Sequence, residues 1–274
     1  MNMKYTHPAD SSLPTGRRKL AAVIRGANDV IEINDVVSTL TTGRPEASKL
    51  LSRWARQGWL RRVGTGAYVP VPLDSLDRQH VLEDPWVLVP ALYAPAYIGG
   101  WTAGEYWNLT EQLFRDILVM TAQPVREKRQ IRHAAQFMLH HIHGRKIFGT
   151  RPIWRGRSKV LLSDVHRTVI DMLDNPALGG GIQHVSTCLD AYLQRSDRND
   201  DRLIAYAETL GNGAVFKRLG FLVDQRSDTS HLSDVCLARL TTGNAKLDPF
   251  LRCSRLISKW RLWVPPTWTG MPHD

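Results

Sequence analysis

Between Arg44 and Val69 the apolar residues change period once, and that change constrains the fold more than any other feature of the chain. In 44-RPEASKLLSRWARQ-57, Ala47, Leu50, Leu51 and Trp54 recur at helical spacing and form one apolar stripe. Pro45 suits the first turn, where its missing N–H costs nothing, and Gly58 suits the stop. Next, 59-WLRRVGTGAYV-69 reads as a β-hairpin turning at Gly64-Thr65-Gly66. Upstream, 16-GRRKLAAVIRGA-27 predicts a helix with Leu20, Val23 and Ile24 on one face. The run VIEI (30–33) alternates, and DVVSTLT predicts a second helix, with Val36, Val37 and Leu40 inward and Asn34 or Asp35 as its cap. Thr42-Gly43 breaks it. Helix, helix, Gly-containing turn, helix, hairpin is the layout of a winged helix-turn-helix.

The polar side of the third helix holds Arg44, Ser48, Lys49, Ser52, Arg53 and Arg56, while Arg61, Arg62 and Thr65 fall on the hairpin. Hydroxyls and arginine at base edges, with longer cations on flanking phosphates, is what a DNA major groove requires. Arg61 and Arg62 suit phosphate or minor-groove contact, and Gly64 and Gly66 suit a tight turn that approaches a backbone closely. The plainer alternative is a solvated basic face. The order of elements around the helix favours double-stranded DNA as the partner, with Trp54 and Trp59 in the core.

Charge is unevenly spread. The formal net charge is +10, but residues 126–159 alone carry 10 basic side chains against 1 acidic. These are Arg126, Lys128, Arg129, Arg132, Arg145, Lys146, Arg151, Arg155, Arg157 and Lys159. They read either as a solvated hairpin or as a second basic interface for phosphate or an acidic protein, with Phe148 and Trp154 among them. Residues 160–274 balance at 13 and 13.

The expected fold class is α+β: an N-terminal winged helix-turn-helix (1–72), a linker (73–84) announced by Pro70 and Pro72 just before it, and a larger mixed α/β C-terminal domain (85–274). In the latter, helices are expected at 85–93, 101–107, 163–173, 183–195, 201–210 and 214–224. Strands are expected at 116–121, 137–142, 160–162 and around Trp260–Val264, with a glycine loop at 179–181. The three cysteines, Cys188, Cys236 and Cys253, form no Cys-x-x-Cys and imply a reducing, cytoplasmic setting. No apolar run is long enough to span a bilayer, and the first residues carry no signal-peptide core, so no membrane partner is expected.

Catalytic constellations are weak. Asp116 followed by Glu127-Lys128 resembles a nuclease set, yet the Glu and Lys are adjacent rather than one residue apart. His140, His141 and His143 have no acidic or thiol ligand at metal spacing. Asp164 fits a helix N-cap, and Asp171 fits an i,i+4 pair with Arg167. Phosphate-binding glycine loops and Gly-x-Ser-x-Gly are absent. No enzyme activity, cofactor or metal is expected.

Several segments carry a family resemblance: RQGWLRRVGTGAYVP (56–70), AYIGGWTAGEYWNLTEQ (96–112), DILVMT (116–121), VLLSDVHRTVIDMLDNPALGGGIQHV (160–185) and KRLGFLVD (217–224). The chain resembles the AbiEi family, antitoxins and transcriptional regulators of type IV, abortive-infection toxin–antitoxin systems. The resemblance covers most of 16–225, and Arg167-Thr168, Asp171, Pro176 and Gly180-Gly181 are its most specific part. It implies a non-enzymatic protein that binds inverted repeats in its own promoter, represses its operon, and counters a cognate nucleotidyltransferase-type toxin. The alternatives are a stand-alone winged-helix regulator without a toxin and a DNA-targeted nuclease-like enzyme.

Overall fold

Helices form where the apolar stripes lie. The computed structural model describes residues 15–72, 82–224, 226 and 229–268. Residues 1–14, expected in the N-terminal domain, and 73–81 of the expected linker lie outside the described residues. Two compact units emerge. One comprises Met1–Ala94, Ile131–Ala135 and Ile153–Val160; the other comprises Pro95–Gln130, Gln136–Pro152 and Leu161–Asp274.

The first unit contains α1 (Thr15–Gly26), β1 (Ile31–Glu32), α2 (Ile33–Leu40), α3 (Arg44–Arg56), β2 (Leu60–Gly64), β3 (Ala67–Pro70) and α4 (Leu88–Tyr93). Its sheet runs β1-β3-β2, with both pairs antiparallel. Leu20, Val23, Val36, Ala47, Leu51 and Trp54, one stripe from each of three helices, meet Ile31, Leu60 and Tyr68 in a single buried cluster. Helix α2 starts earlier than a cap at Asn34 or Asp35 requires. Glu32 is its N-cap, and the Asp35 carboxylate accepts the Glu32 N–H at 2.7 Å, the reciprocal half of a capping box. Helix α3 is capped at Gln57, and the next residue, Gly58, takes φ +75 while Trp59 N–H reaches back to the Trp54 carbonyl at 3.0 Å.

The hairpin's two glycines do different things. Gly66 turns the chain, with φ +73 and open space around a notional Cβ. Gly64 has no such φ. It is small because Leu92 Cδ2 of α4 lies 2.4 Å from where a Cβ would stand.

The remaining elements are β4 (Ala96–Ile98), α5 (Gly100–Tyr106), β5 (Asp116–Thr121), β6 (Arg129–Arg132), β7 (Ala135–His141), β8 (Thr150–Arg155), β9 (Ser158–Ser163), α6 (Val165–Asp174), α7 (Ile182–Leu193), α8 (Asp200–Leu210), α9 (Gly213–Val223), α10 (Ser230–Leu237), β10 (Ala245–Lys246), β11 (Arg255–Ile257) and β12 (Leu262–Val264). A six-stranded mixed sheet is ordered β6-β7-β5-β4-β9-β8: β4 is antiparallel to β5 and parallel to β9, and β5 is parallel to β7. A smaller sheet runs β10-β12-β11. Helices α6 to α10 share a core in which Ile170, Leu189, Leu203, Leu219 and Trp260 are buried. Helix α6 is buried at every residue from Val165 to Leu173, polar ones included, so it is the axis of this unit. Among the described residues no helix is long and apolar enough to cross a membrane.

Candidate functional site

In the first unit, α2, α3 and the β2–β3 turn enclose a groove of about 510 Å³. Its lining includes Asn34, Arg44, Ser48, Ser52, Arg62 and Thr65. Arg44, Ser48 and Ser52 are four residues apart, so one ridge of α3 forms the floor. Arg62 and Thr65 come from the opposite wall, where the Arg62 Nε donates to the Gly64 carbonyl at 3.0 Å. The groove therefore gathers five of the residues singled out from sequence. Lys49, Arg53 and Arg56 are exposed on the same helix and Arg61 is half-buried on β2. Arg53 lines a separate cleft of about 520 Å³ with Arg17, Leu50, Trp54, Gln57 and Trp59. There the Arg17 guanidinium stands 5.3 Å over the Trp59 ring.

Sequence reasoning missed the α2 wall of the groove. Arg44 Nη1 donates to Asn34 Oδ1 at 2.9 Å, and its other guanidinium donors have no partner among the described residues. Beside Asn34 the Glu32 carboxyl also lines the groove, its pKa raised by burial and by neighbouring Asp35. Asn34 carried no periodic signal; only the α2–α3 turn brings it to Arg44.

Half of the second basic stretch is engaged within its own unit. In the first unit, Arg157 Nη1 donates to the Ile24 carbonyl at 2.9 Å and its Nη2 to Asn28 at 3.4 Å, which satisfies the C-terminal end of α1. The Arg157 N–H meets the Asp29 carboxylate at 2.8 Å, and Gly156, at φ +55, packs on the same group. Arg155 stacks 4.4 Å over Trp86 and lies 3.5 Å from Asp84, and Arg132 hydrogen-bonds the Tyr93 hydroxyl. In the second unit, Arg129 pairs with Asp116 at 3.1 Å and Arg151 stands 5.3 Å over Trp107. Arg126, Lys128, Arg145 and Lys159 are exposed, Lys146 is half-buried, and Trp154 is 69% exposed.

The remaining constellations of the second unit also resolve. Asp116 is committed to Arg129, while Glu127 and Lys128 are exposed beyond it. His143 accepts the Arg145 N–H, and burial lowers the pKa of His140. No group of three or more His, Cys, Asp or Glu residues placed to hold a metal occurs among the described residues. Asp164 caps α6 by accepting the Arg167 N–H at 2.8 Å. Arg167 Nε lies 2.9 Å from Asp171 Oδ1, and the Tyr97 hydroxyl links them, accepting from Arg167 at 3.2 Å and donating to Asp171 at 3.0 Å. The guanidinium sits 3.9 Å over Phe148. Burial pushes the Asp171 carboxyl up to about 6 in spite of Arg167, whose own pKa that pair holds above the ordinary value. The acid is thus the costly member of a buried structural network.

No family model matches this chain, and no curated protein matches it. Among solved structures, its fold is similar to that of the RV2827C protein from Mycobacterium tuberculosis, with a TM-score of 0.59 over 92% of each chain at 15% identity. At that identity the likeness carries the mixed α/β architecture and nothing about activity.

Proposed function

We propose that the first unit is a winged helix-turn-helix and that the chain is a DNA-binding repressor of its own operon. The groove carries this reading. A helix ridge of Arg44, Ser48 and Ser52 faces a turn bearing Arg62 and Thr65 across a cleft, with Lys49, Arg53 and Arg56 exposed alongside. A helix laid in a major groove needs hydroxyls and arginine toward the bases and cations toward flanking phosphates, and a hairpin beside it adds backbone contacts. Glu46 is the only acid on α3, so little on that helix opposes a polyanion. With the AbiEi resemblance of the same segments, we infer further that the protein is the antitoxin of a type IV toxin–antitoxin pair, opposed to a nucleotidyltransferase-like toxin. We assign it no catalytic residues.

The test is a titration of the full-length protein against the duplex upstream of its own reading frame and an unrelated duplex, at about 50 and 200 mM salt. A specific complex that weakens about 10³-fold or more between those salts fits six or more phosphate contacts. Equal affinity for both duplexes, or none, refutes the repressor reading. For the antitoxin reading, a nucleotidyltransferase-like product encoded beside this gene arrests growth, and co-expression of this chain restores it. Arrest without restoration refutes that part alone and leaves a stand-alone regulator.

A further inference from the structure

The α2 wall of the groove assigns a distinct task to one arginine. We propose that Arg44, held by Asn34, reads a guanine edge in the major groove, and that Asn34 is a positioning residue for base specificity; this rests on the DNA-binding reading above. Arg44 is the first residue of α3. The N-terminal end of a recognition helix is the part that reaches base edges. Its guanidinium is not a loose surface charge: Asn34 Oδ1 holds Nη1 at 2.9 Å. Only one face of the fork is used in this way, since its other donors have no partner among the described residues. A planar fork fixed on one side and open on the other matches the paired acceptors O6 and N7 of guanine, with less side-chain entropy left to lose on binding.

The local charge separates a base from a phosphate. Glu32 lines the same groove next to Asn34, and a carboxylate there repels a phosphodiester. The phosphate path is therefore favoured along the other wall, past Arg62 and Thr65, which has no acid in the groove lining. Arg44 stands at the acidic end, where a neutral acceptor edge is the better ligand. Arginine in this position discriminates guanine by geometry, whereas a phosphate contact would strengthen binding to every sequence alike.

The experiment selects bound duplexes from a randomised double-stranded library with the full-length protein and with Arg44→Ala, Arg44→Lys, Asn34→Ala and Asn34→Asp. The expected wild-type motif contains a guanine at one position per half-site. Arg44→Ala and Arg44→Lys lower the preference at that position about tenfold or more and keep the rest of the motif. Asn34→Ala weakens the same position only, and Asn34→Asp, which keeps the acceptor, restores it. Both side chains are exposed, and Arg44→Lys keeps the charge, so it decides the matter if the alanine variants fold poorly. An unchanged guanine preference in both Arg44 variants overturns the proposal. So does a uniform loss of affinity with a shallower salt dependence, which makes Arg44 a phosphate contact. In those two cases the wild-type motif still stands, and so does the DNA-binding reading. A wild-type protein that selects no motif removes both.

Discussion

Replacing either end of the Arg167–Asp171 pair should destabilise the second unit, and the two ends should not be equivalent. Both side chains are 2% exposed or less, 2.9 Å apart, and tied through Tyr97. Removing one partner of such a pair leaves an uncompensated buried charge and costs about 3–5 kcal/mol. For a unit of ~150–250 residues this lowers Tm by about 6–20 °C. The orphaned groups differ in their escape. A lone Asp171 can take up a proton, and its carboxyl already titrates near 6 in the intact pair. A lone Arg167 cannot release one. Asp171→Leu is therefore the worse substitution at pH 5, where Arg167→Met is relieved. The sign follows from linkage. A carboxyl whose folded pKa lies above its unfolded value binds more protons when folded between about pH 4 and 6, so its contribution favours the fold at low pH and is lost as pH rises through that window. The deficit of Arg167→Met should accordingly shrink from pH 7.5 to pH 5, and that of Asp171→Leu should not. The double variant, with no charge left to bury, should be more stable than either single variant. Urea titrations of the four proteins followed by circular dichroism at both pH values measure all of this. Single variants within about 1 kcal/mol of wild type, or a double variant losing the sum of the two, would refute the account of a coupled, desolvated pair.

Two glycine predictions test close packing and backbone strain. Gly220→Ala in α9 ordinarily gains about 1 kcal/mol of helix propensity. Here the new Cβ would stand 2.0 Å from Trp260 Cζ3, so we expect a net loss of about 1–3 kcal/mol with a shifted tryptophan emission; a stabilised variant would show that Trp260 yields freely. Gly66→Val should cost about 1–2 kcal/mol through its φ of +73, and Gly66→Asn clearly less, by thermal melting of the first unit; equal costs would mean that φ is not the constraint.

Legibility in the sequence followed the kind of signal each element carried. The stripes of α1, α2 and α3 were readable because each buries one side, whereas α6 and α9, buried nearly throughout, were readable from apolar content and from the capping and turn residues that bound them. Strands β4, β6 and β8 were not: β4 has only three residues, and β6 and β8 bury none of theirs, which erases the apolar alternation. Helix α10 was missed because its pattern is weak, with only Leu232, Ser233 and Cys236 buried. On α3 every residue of the polar face was visible at helical spacing. Its Asn34 partner was invisible, because a contact across a turn has no period.

Charge was the least transparent property. Lys217 and Arg218 sit side by side in α9, both 4% exposed or less, where a charge pair would be read as surface. Arg218 instead donates to the carbonyls of Leu173, Asp174, Lys246 and Leu247, pinning the end of α6 to β10, and Lys217 donates to Thr241 and Gly243. Arg157 does the same for the end of α1. For Arg218 and Arg157 the partner is the unsatisfied carbonyl at or near a helix or strand end, which is negative in effect and absent from any count of acidic residues. A formal charge of +10 therefore overstates the cations available to a polyanion. In the first unit, setting Arg157 aside leaves exposed cations on α1 (Arg17, Arg18, Lys19, Arg25) and on α3 with its hairpin (Arg44, Lys49, Arg53, Arg56, Arg62).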